Sequence, residues 1–172
     1  MTLVQNVPFF SIMLSMFSGI VSAMLPEKWA KRLNTAMILT VGTMSGWLLY
    51  FMAVSGLGSY TYMMGHFPAP WGNELRVGVL EAGMALFFCI IMLLSLLGGR
   101  KKLLGEVEYS KHNVYYILCN LLLSSLLALI YTNDLFTAYV FVEINTIAAA
   151  GLIMIRQNGR CIEATVRYMI MS

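Results

Sequence analysis

Residues 135–155 read LFTAYVFVEINTIAAAGLIMI, an apolar run in which Glu143 is the single charged residue. A helix rises about 1.5 Å per residue, so this run just crosses the roughly 30 Å hydrocarbon core of a bilayer. Glu143 then lies about 12 Å from the Leu135 end, close to the midplane. Inserting an ionisable group at this depth costs about 2.5 kcal/mol or more, and such residues commonly serve ion pathways. The run therefore predicts a membrane helix that carries a functional carboxyl group.

The composition of the whole chain is that of a membrane protein. Of the 172 residues, 59% are hydrophobic and 11% are charged, whereas a water-soluble domain has about 25% charged residues. Five runs are long and apolar enough to span a bilayer, and a sixth begins near Glu163 and is unfinished at Ser172. The five runs are 7–25, 36–57, 77–97, 114–131 and 135–155. The sequence predicts an all-α integral membrane protein with one transmembrane domain over residues 1–172.

The basic residues lie almost entirely in one set of connections. All of them except Arg76 follow spans one, three and five or lie in the approach to the sixth segment. By the positive-inside rule these connections face the cytoplasm and the amino terminus lies outside. We therefore predict a multi-pass protein of the inner (cytoplasmic) membrane and no nucleic-acid partner. The cytoplasmic set comprises Lys28, Lys31, Arg32, Arg100, Lys101, Lys102, Lys111, Arg156, Arg160 and Arg167.

The outer connection from Gly58 to Arg76 is long and rich in aromatic residues. Its Pro68-Ala69-Pro70 core forbids a continuous helix. Because aromatic rings favour the membrane–water boundary, we expect this connection to lie along the interface.

Residues that could bind a haem or a metal ion are few. His66 is assigned to the outer surface and His112 to the cytoplasmic end of span four, so they cannot ligate one haem together. The three cysteines share no CxxC or CxxH spacing, and they are Cys89, Cys119 and Cys161. We expect no cofactor on this chain, and any redox cofactors on partner subunits.

Polar residues surround Glu143 on its own helix and on the preceding one. Tyr139 at i−4 and Thr146 at i+3 share its helical face, which gives a polar stripe on an apolar helix. Side chains of the fourth span could face this stripe across the short turn at 132–134. They are Asn120, Ser124 and Ser125. The arrangement is typical of the lining of a hydrated path.

No Lys or Arg falls within the interior of any predicted span. Arg156 lies about 20 Å along the helix from Glu143. Glu143 is therefore either a protonated group that joins two helices by a hydrogen bond, or its countercharge comes from another subunit. Asp134, immediately before the first apolar residue of span five, could cap that helix or lie at a channel mouth, and both interpretations stay open.

Three stretches carry a resemblance to a known family. Residues 133–143, NDLFTAYVFVE, resemble the GDLFNLFVFFE-type motif of the antiporter-like membrane subunits of complex I, membrane-bound hydrogenases and Mrp-type multisubunit cation/proton antiporters. Residues 163–168, EATVRY, resemble the E-x-x-KY sequence of the same family. Residues 65–72, GHFPAPWG, resemble the GxWxAPxG stretch of the D-type antiporter subunit. The resemblance covers nearly the whole chain and is strongest over 132–168.

The resemblance implies a role for several residues. Glu143 matches the fifth-helix glutamate of the family's proton-translocation path. Arg167 stands where the family usually has lysine, which keeps the charge and changes its geometry. The acidic residue that the family tends to have before the third helix is absent, with Gly78 near that position and Glu81 shortly after it. Family members are much longer, and the lysine that pairs with the glutamate would lie beyond Ser172.

Two functions are compatible with these features. The first is a proton- or sodium-translocating membrane subunit of a redox-driven complex or a cation/proton antiporter, with other membrane subunits supplying the later helices and lysines. The alternative is a non-conducting structural or assembly subunit of the same kind of complex. A basic side chain near Glu143, from any chain, distinguishes the two.

Overall fold

The computed structural model describes residues 2–56, 58–64 and 72–172, and the predicted helical membrane protein is confirmed. Five helices are long and apolar enough to cross a membrane, and they coincide with the five predicted runs. The sixth predicted segment is also helical. The helices are α1 Thr2–Gln5, α2 Val7–Met24, α3 Glu27–Ser55, α4 Val79–Gly105, α5 His112–Tyr131, α6 Leu135–Met154 and α7 Gly159–Met171.

Three helices extend further toward the predicted cytoplasmic side than their apolar runs. Helix α3 begins at Glu27, directly after Pro26 in extended backbone with ψ 151°. An acidic residue in the first turn is favourable next to the positive end of the helix dipole. The basic residues after span one thus lie within α3 and not in a connection. Of those after span three, Arg100, Lys101 and Lys102 lie within the extended α4, whereas Lys111 lies in the connection before α5. Helix α7 begins at Gly159 rather than near Glu163.

The outer connection contains a β-hairpin that the sequence analysis did not predict. Strand β1, Ser59–Met63, pairs antiparallel with β2, Glu74–Gly78, and Ser59 lies opposite Gly78. The hairpin contacts the α5–α6 turn, where the Asn133 backbone N–H donates to the Glu74 carbonyl at 2.9 Å. Residues 65–71, with most of the GHFPAPWG stretch and His66, lie outside the described part of the chain.

Helix α5 lies at the centre of the bundle and packs against α2, α3, α4 and α6. Glycines allow two of the closest approaches. A Cβ added at Gly19 of α2 would lie 3.3 Å from the Asn120 Cβ, and one added at Gly151 of α6 would lie 3.0 Å from a Leu118 methyl carbon. In α3, Gly42 faces α4, where an added Cβ would lie 3.6 Å from the Cys89 Cβ. This glycine, part of the Gly42/Gly46 pair, therefore brings α3 close to α4.

An ion pair, a contact between a carboxylate and an imidazole, and a lysine–glutamate hydrogen bond lie at the helix ends on the predicted cytoplasmic side. Arg156 Nη2 after α6 lies 2.8 Å from Glu106 Oε2 after α4. Glu27 Oε1 of α3 lies 3.0 Å from His112 Nδ1 of α5. Lys111 hydrogen-bonds Glu108, and this bond and the lysine charge lower the pKa of the Glu108 carboxyl. These contacts hold α3, α4, α5 and α6 together at one end of the bundle.

Candidate ion-translocation site

Helix α6 lies at the edge of the described bundle, along α5. Of its residues, Ala148 and Ala150 are buried and the rest are half-buried or exposed. Glu143 is among the exposed residues, and 63% of the Tyr139 surface is uncovered. The predicted polar stripe of α6 therefore faces away from the helices that the structure describes.

The stripe has internal contacts, as the helical spacing predicts. The Tyr139 hydroxyl and the Glu143 carboxyl group lie one helical turn apart and interact electrostatically. The Thr146 hydroxyl donates to the Glu143 backbone carbonyl at 2.9 Å. Tyr139, Glu143 and Thr146 thus form a continuous polar surface on one face of α6.

Within the described side chains, no Lys, Arg or His forms an ion pair with Glu143. Arg156 is paired with Glu106 at the end of the bundle. Arg167 Nη2 lies 2.5 Å from Glu163 Oε1 on its own helix, and both side chains are more than half exposed. The carboxyl group is therefore available to a cation that approaches the uncovered face of α6.

Arg167 lies in the third turn of α7, which begins at Gly159. It is about 12 Å along α7 from Gly159, while Glu143 is about 16 Å along α6 from Met154. Helices α6 and α7 are neighbours joined by a short turn. Arg167 therefore lies on the helix next to the one that carries Glu143.

The structure separates Asn120 and Ser124 from Glu143, contrary to the expectation that they face it. Asn120 is fully buried against Gly19 of α2. Ser124, one turn later on the same side of α5, donates to the Leu121 carbonyl at 3.0 Å. The expectation failed because α5 has polar residues on two sides, and only one of these sides contacts α6.

The polar link between α5 and α6 is made by Ser125 and Asn145. The Ser125 hydroxyl donates to Asn145 Oδ1 at 3.3 Å. Ser125 was among the candidates, whereas Asn145 was missed. The sequence did carry a signal for this contact. Asn145 is a polar residue in an apolar helix, two residues after Glu143, and asparagines in membrane helices commonly join neighbouring helices by hydrogen bonds.

Asp134 caps α6, one of its two open interpretations. Its Oδ2 accepts hydrogen bonds from the Thr137 N–H at 3.0 Å and from the Thr137 hydroxyl at 2.6 Å. The hydrogen bond from the Thr137 hydroxyl contributes most to a lowered pKa of the Asp134 carboxyl group, and the bond from the Thr137 backbone N–H contributes next. A role at a channel mouth stays a prediction.

Glu81 lies in the first turn of α4 and folds back over the preceding glycine. A Cβ added at Gly78 would lie 2.6 Å from Glu81 Oε2. The Glu81 carboxylate therefore fills the space that a side chain at position 78 would take. Position 78 is close to where members of the antiporter-like family tend to have an acidic residue. The Glu81 carboxylate thus lies near that position, although residue 78 itself is glycine.

The chain is related in sequence to larger membrane subunits. It is 33% identical over 111 residues to NADH-quinone oxidoreductase subunit N of Desulforudis audaxviator, a match that covers 64% of this chain and 22% of that protein. It is 35% identical over 82 residues to an uncharacterized protein of Methanocaldococcus jannaschii, a match that covers 48% of this chain and 17% of that protein. The chain thus matches less than a quarter of the length of these relatives.

The fold is that of a solved respiratory subunit. A chain in the structure of the membrane-bound sulfane sulfur reductase, an archaeal respiratory membrane complex, superposes with a TM-score of 0.77 at 20% identity, covering 99% of this chain and 34% of that one. No protein-family profile matches the chain. The expected relationship to an antiporter-like subunit of complex I is confirmed by the match to subunit N. The closer likeness to the Mrp D-type subunit stays a prediction.

Proposed function

We propose that this chain is a proton- or sodium-translocating membrane subunit of a multisubunit redox-driven complex or cation/proton antiporter, in the inner (cytoplasmic) membrane. The observation that carries the proposal is Glu143, a carboxyl group near the middle of a membrane-spanning helix, on a face that the described helices leave uncovered. An ionisable group at that depth is retained where it moves or binds ions. The relationship to NADH-quinone oxidoreductase subunit N supports the same function.

In the proposed mechanism Glu143 takes up and releases a proton as a positive charge approaches and withdraws. A nearby cation favours the carboxylate and so promotes proton release, whereas its withdrawal in an apolar environment favours the protonated acid. Tyr139 and Thr146 continue the polar surface on either side and would support a hydrated path. Redox chemistry, where it drives the process, belongs to partner subunits.

Two sources could supply the positive charge. A basic residue on a partner membrane subunit, packed against the uncovered face of α6, is the first. Arg167 is the second, because it lies on α7, the neighbour of α6, and could exchange its partner Glu163 for Glu143. Arginine keeps its charge under all physiological conditions, so it would act by moving and not by losing its proton.

The decisive experiment replaces Glu143 with Gln, which keeps the size and hydrogen-bonding capacity and removes the titratable proton. We expect the complex to assemble at normal levels, and ion transport in membrane vesicles to fall by an order of magnitude or more. Glu143→Asp, which withdraws the carboxyl group by one methylene, should give an intermediate rate. Arg167→Gln should reduce transport as strongly as Glu143→Gln only if Arg167 supplies the charge.

Glu108→Gln is the matched control, because it removes an exposed carboxylate of the same chain at the cytoplasmic end of the bundle whose partner is the neighbouring Lys111. Glu163→Gln should also have a smaller effect than Glu143→Gln, since its carboxylate lies nearer to water. If vesicles with Glu143→Gln build the same ion gradient as the wild type at equal complex content, Glu143 is structural. The chain would then be the non-conducting assembly subunit.

A further inference from the structure

The first two turns of α3 carry three basic residues that have no carboxylate partner. Lys28 and Arg32 are exposed and lie one helical turn apart, and Lys31 is half-buried beside them. In the described ranges, no carboxylate forms an ion pair with any of the three, whereas three basic residues elsewhere in the chain have such a partner. The nearest carboxylate in sequence, that of Glu27, contacts His112 of α5 instead. These three residues are called the basic cluster below.

The short connection between α2 and α3 holds the basic cluster at the membrane boundary. Helix α2 contains no charged residue as far as its end at Met24, and only Leu25 and Pro26 separate it from α3, its neighbour in the bundle. The cluster ends at Arg32, which is about 7.5 Å along α3 from the first residue of that helix. Since the layer of lipid headgroups is about 5–8 Å thick on each side of the hydrocarbon core, the cluster lies at the depth of the lipid phosphates.

The described helices leave the same face of α3 uncovered beyond the cluster. Leu39, Trp47 and Val54 are 49%, 50% and 69% exposed, and Trp29, beside the cluster, is 58% exposed. Trp29 and Trp47 are five helical turns apart, so they share one side of α3 at a separation of about 27 Å. Tryptophan is enriched at the two boundaries of a hydrocarbon core that is roughly 30 Å thick. This spacing is typical of a helix face that contacts lipid.

Trp29 holds the guanidinium group of Arg32 at this boundary. The Arg32 Cζ lies 5.5 Å from the centre of the Trp29 ring, which is within the range of a cation–π contact. A guanidinium group that lies over a ring keeps donors in its own plane, and their planar fork matches the oxygens of a phosphate group. Lys28 and Lys31 add two ammonium groups within two helical turns of this fork. The cluster therefore has the charge and the donors that an anionic phosphate group requires.

We propose that the basic cluster and Trp29 bind the headgroup of an anionic phospholipid, whose acyl chains lie along the uncovered face of α3 past Ala36 and Leu39. Basic clusters next to a membrane helix attract anionic headgroups, whereas a zwitterionic headgroup brings its own positive charge to the cluster. The proposal is independent of the function proposed for Glu143, because it concerns another helix and holds whether or not that residue carries ions. The rival interpretation is that the three charges are solvated and only orient the chain in the membrane.

Photochemical crosslinking to lipid tests the proposal on the full chain, together with any subunits that purify with it. The protein is reconstituted into vesicles of phosphatidylcholine with a minor fraction of phosphatidylglycerol, equal in both leaflets. The photoreactive residue p-benzoylphenylalanine replaces Ala36 in one variant and Val54 in the other, since both are exposed and lie five helical turns apart on one side of α3. Mass spectrometry identifies the crosslinked lipids. We expect the phosphatidylglycerol fraction among them to be several-fold higher at position 36 than at position 54, and the difference to shrink at high salt, which screens the charges.

Lys28→Gln, Lys31→Gln and Arg32→Gln together remove the three charges and should lower the phosphatidylglycerol fraction at position 36 to that at position 54. The matched control combines Lys28→Arg, Lys31→Arg and Arg32→Lys, which keeps all three charges and should retain most of the enrichment. Equal phosphatidylglycerol fractions at the two positions with the cluster intact would overturn the proposal, even if the neutral variant does not insert. Crosslinking of position 36 to a protein subunit instead of lipid would also overturn it, since this face of α3 would then be covered by protein.

Discussion

The contact between Gly151 and Leu118 fixes the position of α6, and Gly151→Val tests how much depends on it. An added Cβ would lie 3.0 and 3.1 Å from the two Leu118 methyl carbons, whereas carbon atoms pack best at about 3.5–4.0 Å. Valine adds two more methyl groups beyond that Cβ. Overpacking of this kind costs about 1–3 kcal/mol, and each kcal/mol lowers the thermal midpoint of a chain of this size by about 2–4 °C.

A thiol-reactive dye can follow unfolding of the purified protein, because Cys89 and Cys119 are 2% and 4% exposed and react when the helices separate. The matched control is Gly98→Val in α4, where an added Cβ would meet no described atom within 4 Å. Leu118→Ala removes the clashing atoms, so the double variant should recover stability relative to Gly151→Val. If Gly151→Val unfolds at the same temperature as Gly98→Val, or if Leu118→Ala gives no recovery, the close α5–α6 contact is not present in solution.

Three further outcomes are expected. In a cysteine-free background, a cysteine introduced by Glu108→Cys should react with a membrane-impermeant reagent only after the cells are opened. A cysteine introduced by Asn133→Cys should react in intact cells. The reverse pattern would show that the predicted topology is inverted. Because the pKa of Asp134 is lowered, the helix cap that it forms contributes stability at neutral pH, and this contribution is lost as the pH falls through the lowered pKa. The thermal midpoint should therefore fall less over this acidic range for Asp134→Asn than for the wild type. An equal dependence of the thermal midpoint on pH in the two proteins would exclude the cap as the cause. Gly78→Ala should lower the thermal midpoint, because the added Cβ meets the Glu81 carboxylate and would lie 3.3 Å from the Gly58 backbone oxygen. Glu81→Ala should recover part of this loss, and no recovery would show that the backbone contact alone is responsible.

Hydropathy was sufficient to predict the membrane helices, because the cost of exposing polar backbone to lipid makes each long apolar run helical. It could not predict where the helices end beyond the membrane. Glu27 to Arg32 form the first turns of α3 in spite of their charges, since charged residues are compatible with a helix in water. Pro26 indicated where α3 begins, and it was a better signal for this helix start than the position at which the sequence becomes hydrophobic.

The neighbours of each helix were harder to predict than the helices. Asn120 was assigned to the α6 side because α6 follows α5 in sequence, but α2 has the glycine and the serines that allow close approach. The hairpin was missed for another reason. Residues 59–63 read SYTYM, a short run with alternating aromatic residues that is typical of a strand, but it lies in a connection where no regular element was sought.

The two ends of α6 are held by polar contacts, and one side of its middle is held against α5 by the Ser125–Asn145 hydrogen bond and the Gly151–Leu118 contact. The hydrogen bond from Asn133 to Glu74 fastens the outer end to the hairpin, and the Arg156–Glu106 ion pair fastens the other end to α4. Between them, Glu143 lies on an uncovered face. A helix restrained in this way resists sliding along its axis and rotation about it. A charge that acts on Glu143 would therefore have to reach it on α6 as it stands, because the helix itself is not free to carry the carboxyl group across the membrane.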